Sequence, residues 1–384
     1  MHNPLSSQEL MESAVQSTDL ADFGPIPFKD GLEALVGAIN GEKDFFDNTL
    51  HYLRVKIQQI LENRLQVEAL VKRNPEILEE KIIAPIIITG LPRTGTTILQ
   101  TLMALDPACR FLRNWETAMN ICPPPKLLHS VTDPRIQEFH QTIEGLLQMA
   151  PALRPINGLN FMAGGTAECQ NLMAHAFRSF EYCAGFGLSA YGEWLLSCDM
   201  RPGYQTHKLL LQILQWQCPN EYWVLKAPMH LISLDSLMNM YPDARIVFTH
   251  RDPFTTMISG SSLVYNWSVL ASANPDKRHI GKWFPRLWEE ALFNSLEDRN
   301  KWPQAQLFDL HFEKLVSDPV EAVNSIYEHF GLALSHGHRI RMAAWLRDNP
   351  KTSLGVHSYA AEDFGMIRDD EDCRFSVYKQ RFSV

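Results

Sequence analysis

The chain has 384 residues, 45% of them hydrophobic and 21% charged, a composition that supports a large buried core. Its net charge of −9 excludes generic attraction to nucleic acid or to an anionic membrane, so an anionic ligand requires a local basic pocket. No apolar run approaches the ~20 residues of a membrane span. The seven scattered cysteines contain no C-x-x-C pair, which fits reduced thiols of a cytoplasmic protein and not a disulfide frame or a zinc site.

Residues 1–80 read as a helical extension packed on the rest. Met1 to Leu20 lacks the basic start and apolar core of a signal peptide. Helices are expected over Leu5 to Val15, Phe28 to Ile39 and Phe45 to Val71, the last with an apolar face that includes Leu50, Leu53, Ile57, Leu61 and Leu65. A Gly/Pro turn, Ala21 to Pro27, separates the first two, and Asn74-Pro75 ends the third. None of these segments carries recognisable chemistry.

The remainder, 81–384, reads as one α/β unit with a helical insertion at about 125–217. It opens on Ile86-Ile87-Ile88-Thr89, β-branched throughout, as suits a strand buried on both faces. Gly90-Leu91-Pro92-Arg93-Thr94-Gly95-Thr96-Thr97 follows, and Ile98, Leu99, Leu102, Met103 and Leu105 then recur at helical spacing. Strand, glycine-bounded turn and helix form a phosphate cradle, with backbone N–H groups and the helix N-terminus facing the anion. The G-x4-G spacing is that of a Walker A loop, but Thr96 stands where the lysine belongs, and the nearby cation is Arg93 inside the loop.

Farther on, Phe111 to Glu116 reads as a short strand or its end, Cys122 to Pro125 as a stiff turn and 134–150 as a helix. The loop-rich stretch 151–166, with Pro151, Pro155, Gly158, Gly164 and Gly165, is either a substrate-facing segment or a plain connection. Residues 167–217 read as two or three helices. Their aromatics Phe177, Phe180, Tyr182, Phe186 and Tyr191, with Phe161 and Met162 before them, are core or the lining of an apolar site. A second strand, Tyr222 to Leu225, leads into Lys226-Ala227-Pro228-Met229-His230 and a helix from Leu231 to Tyr241. A third, Ala244 to Thr249, ends in His250-Arg251-Asp252-Pro253, with a helix from about Phe254 that includes Ser259. Gln306 to Leu310 is a further strand and Pro319 to Phe330 a helix. Strands alternating with helices predict a P-loop-type, mostly parallel sheet flanked by helices.

Ligands of such sheets bind beyond the carboxyl ends of the strands. Three polar groups fall there: Arg93 to Thr97, Lys226 to His230, and Arg251 with Ser259. Each residue has a structural alternative when taken singly. Lys226 could be a solvated strand end, His230 a helix-start residue bonded to backbone, and Glu116 a surface carboxylate. Asp252 reads as a helix N-cap in any case. Three such groups in succession argue for one basic pocket.

Together these segments resemble PAPS-dependent sulfotransferases, in particular the bacterial-type family with a G-L-P-R-[ST]-G-T-T loop. Trp223 to His230 resembles that family's W-V-L-K-x-P-x-H segment, and Pro242 to Pro253 with Ser259 its 3′-phosphate segment. His357-Ser358-Tyr359 with Asp363-Phe364-Gly365 resembles its closing block. The resemblance runs from about residue 20 to the C-terminus, and departs mainly in Arg93 and Thr94, where many relatives carry Lys and Ser. It implies 3′-phosphoadenosine 5′-phosphosulfate (PAPS) as donor, PAP as product, a small hydroxylated acceptor, and no metal. Arg93, Thr94, Gly95, Thr96 and Thr97 would hold the 5′-phosphosulfate, Arg251 and Ser259 the 3′-phosphate, and Arg93 and Lys226 would neutralise charge in transfer. Relatives take the acceptor proton with a His after the strand-end Lys or with a Glu some two dozen residues after the loop. Glu116 is favoured narrowly as base, with His230 positioning the acceptor or donating to the sulfuryl group. Competing readings are a nucleotide kinase or NTPase with a degenerate loop, and a PAP-binding protein without catalysis. No motif names the acceptor or an oligomeric state.

An arginine-containing loop without the Walker lysine predicts that PAP binds without divalent metal. Calorimetry in excess chelator is expected to leave the affinity nearly unchanged, and a strict Mg²⁺ requirement would restore the NTPase reading.

Overall fold

The β-branched run forms β1 (Ile86–Gly90), and all five of its residues are buried. It lies at the centre of a five-stranded parallel sheet with β2 (Cys109–Arg110), β3 (Tyr222–Lys226), β4 (Arg245–His250) and β5 (Leu307–His311), in the order β2-β3-β1-β4-β5. The registers bring the functional ends level: Ile88 faces Lys226 across β1 and β3, Gly90 faces Thr249 across β1 and β4, and His250 faces His311 across β4 and β5. The computed structural model describes residues 4–384 apart from 119, 127–131, 152, 155–160 and 351–358. Pro155 and Gly158 of the glycine-rich stretch, and His357 and Ser358 near the end, lie outside the described residues.

Alternation along the strands sorts their side chains into two apolar layers. Ile87, Trp223, Leu225, Ile246 and Phe248 face one layer, built from the N-terminal and inserted helices. Ile86, Ile88, Val224 and Val247 face the other, built from the loop helix and three late helices.

Three helices, α1 (Ser7–Thr18), α2 (Lys29–Gly41) and α3 (Asp47–Arg73), precede the sheet. Leu10, Leu32, Leu35, Leu53 and Leu61 belong to the same apolar layer as the strand residues, so the N-terminal helices share the core. The buried Arg64 clasps them to the insertion. It donates to the carbonyls of His175, Phe23 and Ile26 at 2.7, 3.1 and 3.0 Å, and its guanidinium lies 4.2 Å from the centre of the Phe28 ring.

After β1 comes α4 (Thr96–Met103). Cys109–Arg110 is the strand where Phe111 to Glu116 was expected, and Asn114–Ala118 is a short helix, α5. The two-residue strand ends because Arg113 and the residues after it turn to pair with the insertion. The insertion holds α6 (Pro134–Met149), α7 (Cys169–Met173), α8 (Glu181–Phe186), α9 (Ser189–Ser197) and α10 (Arg201–Trp216). Residues 167–217 thus form four helices and not two or three, because Gly187 at φ +69° ends α8 where the aromatic pattern runs on.

Beyond β3, a 3-10 turn at Pro228–Ile232 precedes α11 (Leu234–Met240), and α12 (Pro253–Ala271) follows β4 with Asp252 as its N-cap. A 23-residue helix, α13 (Lys277–Arg299), was not legible in the sequence, where Pro285 interrupts its pattern; Asp276 caps it by accepting from the Arg278 and His279 N–H groups. The chain ends in α14 (Phe312–Ser317), α15 (Pro319–His329), α16 (His336–Asp348), α17 (Arg368–Arg374) and α18 (Ser376–Phe382).

The Arg64 clasp predicts a stability cost. Arg64→Met leaves three carbonyls without their donor, and chemical unfolding is expected to show a loss of about 3 kcal/mol. Lys72→Ala removes only the surface pairing of Lys72 with Asp22 and Glu68 and is expected to leave the midpoint unchanged.

Candidate active site

The loop after β1 is held in an unusual backbone path. Gly90 has φ +147°, and a Cβ there would lie 2.5 Å from the Thr249 carbonyl oxygen. Arg93 has φ +69° although it carries a side chain, and Gly95 has φ +87°. Left-handed residues inside the loop turn successive N–H groups toward one side, ahead of the α4 N-terminus. A non-glycine residue in this region stores strain, which marks functional loops.

The loop's side chains divide. Thr94 is fully buried and faces the fold: its hydroxyl donates to the Leu91 carbonyl at 2.7 Å and lies 2.6 Å from the Thr249 hydroxyl. It fastens the loop to β4. Arg93 Nε donates to Ser259 Oγ at 3.1 Å, and Arg251 Nη1 donates to the Arg93 carbonyl at 2.9 Å. The Arg251 guanidinium also lies 4.0 Å from the centre of the Phe312 ring. Burial, then the neighbouring Arg251, push Arg93 below the usual guanidinium value, against an opposing effect of Tyr359. Two guanidiniums this close at a strand end are suited to an anion between them.

Lys226 ends β3 with its side chain buried, donating to Thr97 Oγ1 at 3.3 Å and pairing with the Glu168 carboxylate. Glu168 immediately precedes α7, and its side chain keeps one-fifth of its exposure. Its backbone is pinned from two elements. Thr166 bridges Arg113, Ala167 N–H donates to the Leu112 carbonyl at 2.7 Å, and Gln100 Nε2 of α4 donates to the Ala167 carbonyl at 3.2 Å. The structure therefore brings together Arg93, Thr97, Lys226, Arg251, Ser259 and Glu168 at the carboxyl ends of β1, β3 and β4. Thr96 is buried on the first turn of α4. Glu168 was not among the residues expected from sequence; the only signal was a carboxylate closing the glycine-rich stretch at the start of a helix.

The two expected bases have other surroundings. Glu116 is fully buried. Its Oε2 accepts from Arg110 Nη1 at 3.1 Å and the Arg113 N–H at 3.2 Å, and its Oε1 accepts from Arg110 Nη2 at 2.8 Å and Arg113 Nη1 at 3.5 Å. Both oxygens are saturated by donors, which leaves no lone pair directed at an acceptor hydroxyl. His230 sits in the 3-10 turn with Nδ1 2.9 Å from the Tyr204 hydroxyl, its ring stacked on Tyr204 and edge-on to His207. Burial pushes it down to about 3, so it is neutral at pH 7. Its Nε2 has no partner among the described residues. Of the aromatics considered for an apolar site, Phe177, Phe180, Tyr182 and Tyr191 are sealed in the core, while Phe161 and Met162 stay partly or well exposed.

This geometry places cations from three strand ends around a glycine loop on a P-loop-like fold. Residues 85–336 match the model of the sulfotransferase family. The chain belongs to that family. The structure is similar to the crystal structure of sulfotransferase STF1 from Mycobacterium tuberculosis H37Rv, with a TM-score of 0.85 and 30% identity over 98% of this chain and 100% of that one. It is also similar to sulfotransferase STF9 from Mycobacterium avium, with a TM-score of 0.90 and 25% identity over 100% of this chain and 98% of that one. No curated protein sequence matches the chain significantly.

The enclosure of Glu116 yields a stability prediction. Glu116→Ala strands two buried arginines and is expected to cost about 3–5 kcal/mol in chemical unfolding. A change of a few tenths of a kcal/mol, the scale of an exposed pair, would mean that water reaches the cluster.

Proposed function

We propose that the chain transfers a sulfuryl group from PAPS to a hydroxyl of a small, apolar acceptor in the cytoplasm. The observation that carries this reading is the set of hydrogen bonds linking three strand ends: Lys226 to Thr97, Arg93 to Ser259, and Arg251 to the Arg93 carbonyl. They create two separate cationic poles, one at Lys226 and one at Arg251, which suit a donor bearing a phosphosulfate and a distant 3′-phosphate. An ATP-type ligand would give Arg251 and Ser259 no second phosphate to bind. Seven free cysteines support the location in a reducing compartment.

The bound donor supplies a sulfuryl group on a phosphate leaving group. The N–H groups of residues 93–97, the α4 N-terminus, Arg93 and the Thr96 and Thr97 hydroxyls hold the 5′ end. Thr94 contributes through its backbone only, since its hydroxyl is bonded into β4. Lys226 offsets the negative charge that grows on the leaving oxygen as the S–O bond breaks, and its burial makes that interaction stronger than in water. Arg251 and Ser259 hold the 3′-phosphate.

The proton of the acceptor hydroxyl goes to Glu168 in this reading. The base role moves there from Glu116, whose oxygens are saturated by two arginines, while Glu168 is partly exposed and already touches Lys226 at the point of transfer. His230, neutral and packed on Tyr204, supports the turn behind Lys226.

Turnover of PAPS with a panel of hydroxylated acceptors, read by mass spectrometry, tests the reading directly. Glu168→Gln is expected to lower kcat about a hundredfold or more, a typical general-base effect, while PAP still binds. His230→Asn is expected to keep most of kcat. Near-normal kcat in Glu168→Gln, with a large loss in His230→Asn or Glu116→Gln, would return the base to the residues favoured from sequence.

A further inference from the structure

The last two helices lie beyond residues 85–336, the part that matches the family model, yet they dock on the strand end that carries Arg251. Asp252 receives Arg368 Nη2 of α17 at 3.3 Å and Lys379 Nζ of α18 at 3.8 Å. His250, one residue before Arg251, is enclosed by α18. The Phe382 ring stacks on its imidazole at 4.0 Å and 15°, and the Tyr378 hydroxyl lies 3.0 Å from Nδ1. On its other side Asp309 Oδ1 of β5 lies 2.7 Å from Nε2, and Arg299 Nη2 of α13 donates to Asp309 Oδ2 at 2.6 Å.

These contacts fix the direction of every hydrogen bond. Burial would raise Asp309, but the hydrogen bond from His250 and the charge of Arg299 outweigh it and hold the carboxyl below its usual range. An ionised carboxylate only accepts, so Nε2 of His250 carries the ring proton and donates to it. Burial keeps His250 below the ordinary histidine value, despite Asp309, and the neutral ring then has Nδ1 as acceptor. Tyr378 therefore donates its O–H to Nδ1. The chain runs one way, from Tyr378 through His250 to Asp309.

The Arg251 side chain is already held by the Arg93 carbonyl and the Phe312 ring. The residue before it, His250, is held from the opposite side by the phenol of α18. We propose that Tyr378 is a positioning residue for the donor site: through His250, the neighbour of Arg251 in the chain, it sets the pose of the guanidinium that reads the 3′-phosphate, so the C-terminal helix tunes donor affinity from outside the pocket. The inference rests on the donor reading given above.

A double-mutant cycle on the full chain tests it. Calorimetry compares the wild type, Tyr378→Phe, Arg251→Ala and the double variant, each with PAP and with adenosine 5′-phosphosulfate, which lacks the 3′-phosphate. Losing one hydrogen bond from the chain is expected to weaken PAP about threefold to tenfold and to leave adenosine 5′-phosphosulfate unchanged. In the Arg251→Ala background, Tyr378→Phe is expected to have no further effect on PAP, since the two act as one unit. Asp309→Asn enters the chain from its partly exposed end: an amide can donate to Nε2, reverse the imidazole tautomer and produce the same PAP-selective loss. Unchanged PAP affinity in Tyr378→Phe and Asp309→Asn, equal losses for both ligands, or additive losses in the cycle overturn the inference while the donor reading stands. A wild type that binds adenosine 5′-phosphosulfate but gains nothing from PAP overturns the donor reading and this inference with it.

Discussion

A buried ammonium at the end of β3 is the constraint on which the site depends. Lys226 lies in a strand buried on both faces, and its side chain has no exposed surface. A charge in that position is strongly disfavoured without a close counter-charge. Glu168 supplies one, but it belongs to the insertion, 58 residues earlier in the chain. Bringing it there explains the short β2 and the sharp turn after it. Residues 112–114 leave the sheet to pair with residues 165–167, and Gln100 of α4 ties the same segment to the loop helix. Glu116 then has a structural task. By gathering Arg110, the Arg113 side chain and the Arg113 N–H, it stiffens the turn against which the Glu168 segment rests. One carboxylate holds the scaffold, and another, delivered by that scaffold, faces the lysine.

The same arrangement reconciles an acidic protein with an anionic ligand. With a net charge of −9, long-range steering does not favour approach of an anion. The field that matters is local. Arg93, Arg251 and Lys226 are oriented by hydrogen bonds to Ser259, to a backbone carbonyl and to Thr97, so their donors are fixed before any ligand arrives. Preorganised charge in a site of low dielectric needs no rearrangement during reaction, which is where electrostatic catalysis gains most. Its cost appears in Arg93, held below the usual guanidinium value by burial and then by Arg251, and in that residue's positive φ.

The sequence made the central elements legible because local physics dictates them. Apolar runs, β-branched throughout in β1, gave β1, β3 and β4 within a residue or two, and the strand-end cations followed from their spacing to those runs. What escaped was set by contacts distant in sequence. Glu168 acquires meaning only when β3 lies beside the insertion, whereas Glu116 drew attention by its spacing from the loop and turned out to be enclosed. Thr94 reads as a donor to the ligand until β4 comes alongside and Thr249 takes its hydroxyl. The C-terminal helices show no motif, and they reach the Arg251 end of β4 only through contacts distant in sequence, at His250 and Asp252. Pro285 concealed α13 because a helix-breaking residue is tolerated there by a helix of 23 residues anchored through Phe284, Leu287 and Trp288.

The helix α12 separates two demands that a transferase must meet at once. Its N-terminus is capped by Asp252 beside the donor residues, and Ser259 stands two turns in. Its far end carries Trp267, whose ring meets Phe161 edge-on at 6.5 Å next to the exposed Met162. Donor chemistry and an apolar rim thus occupy opposite ends of one rigid element. Most aromatics of the insertion are consumed by the core: Phe180 packs on Trp288, and Tyr191 donates to the Phe177 carbonyl at 2.6 Å. Residues at the rim carry no such duty, so their identity can follow the acceptor without disturbing the path of the loop or the pairing of Lys226. In the proposed reading, the strand-end cations with their fixed partners hold the donor, and the half-exposed apolar end of α12 is where the acceptor meets it.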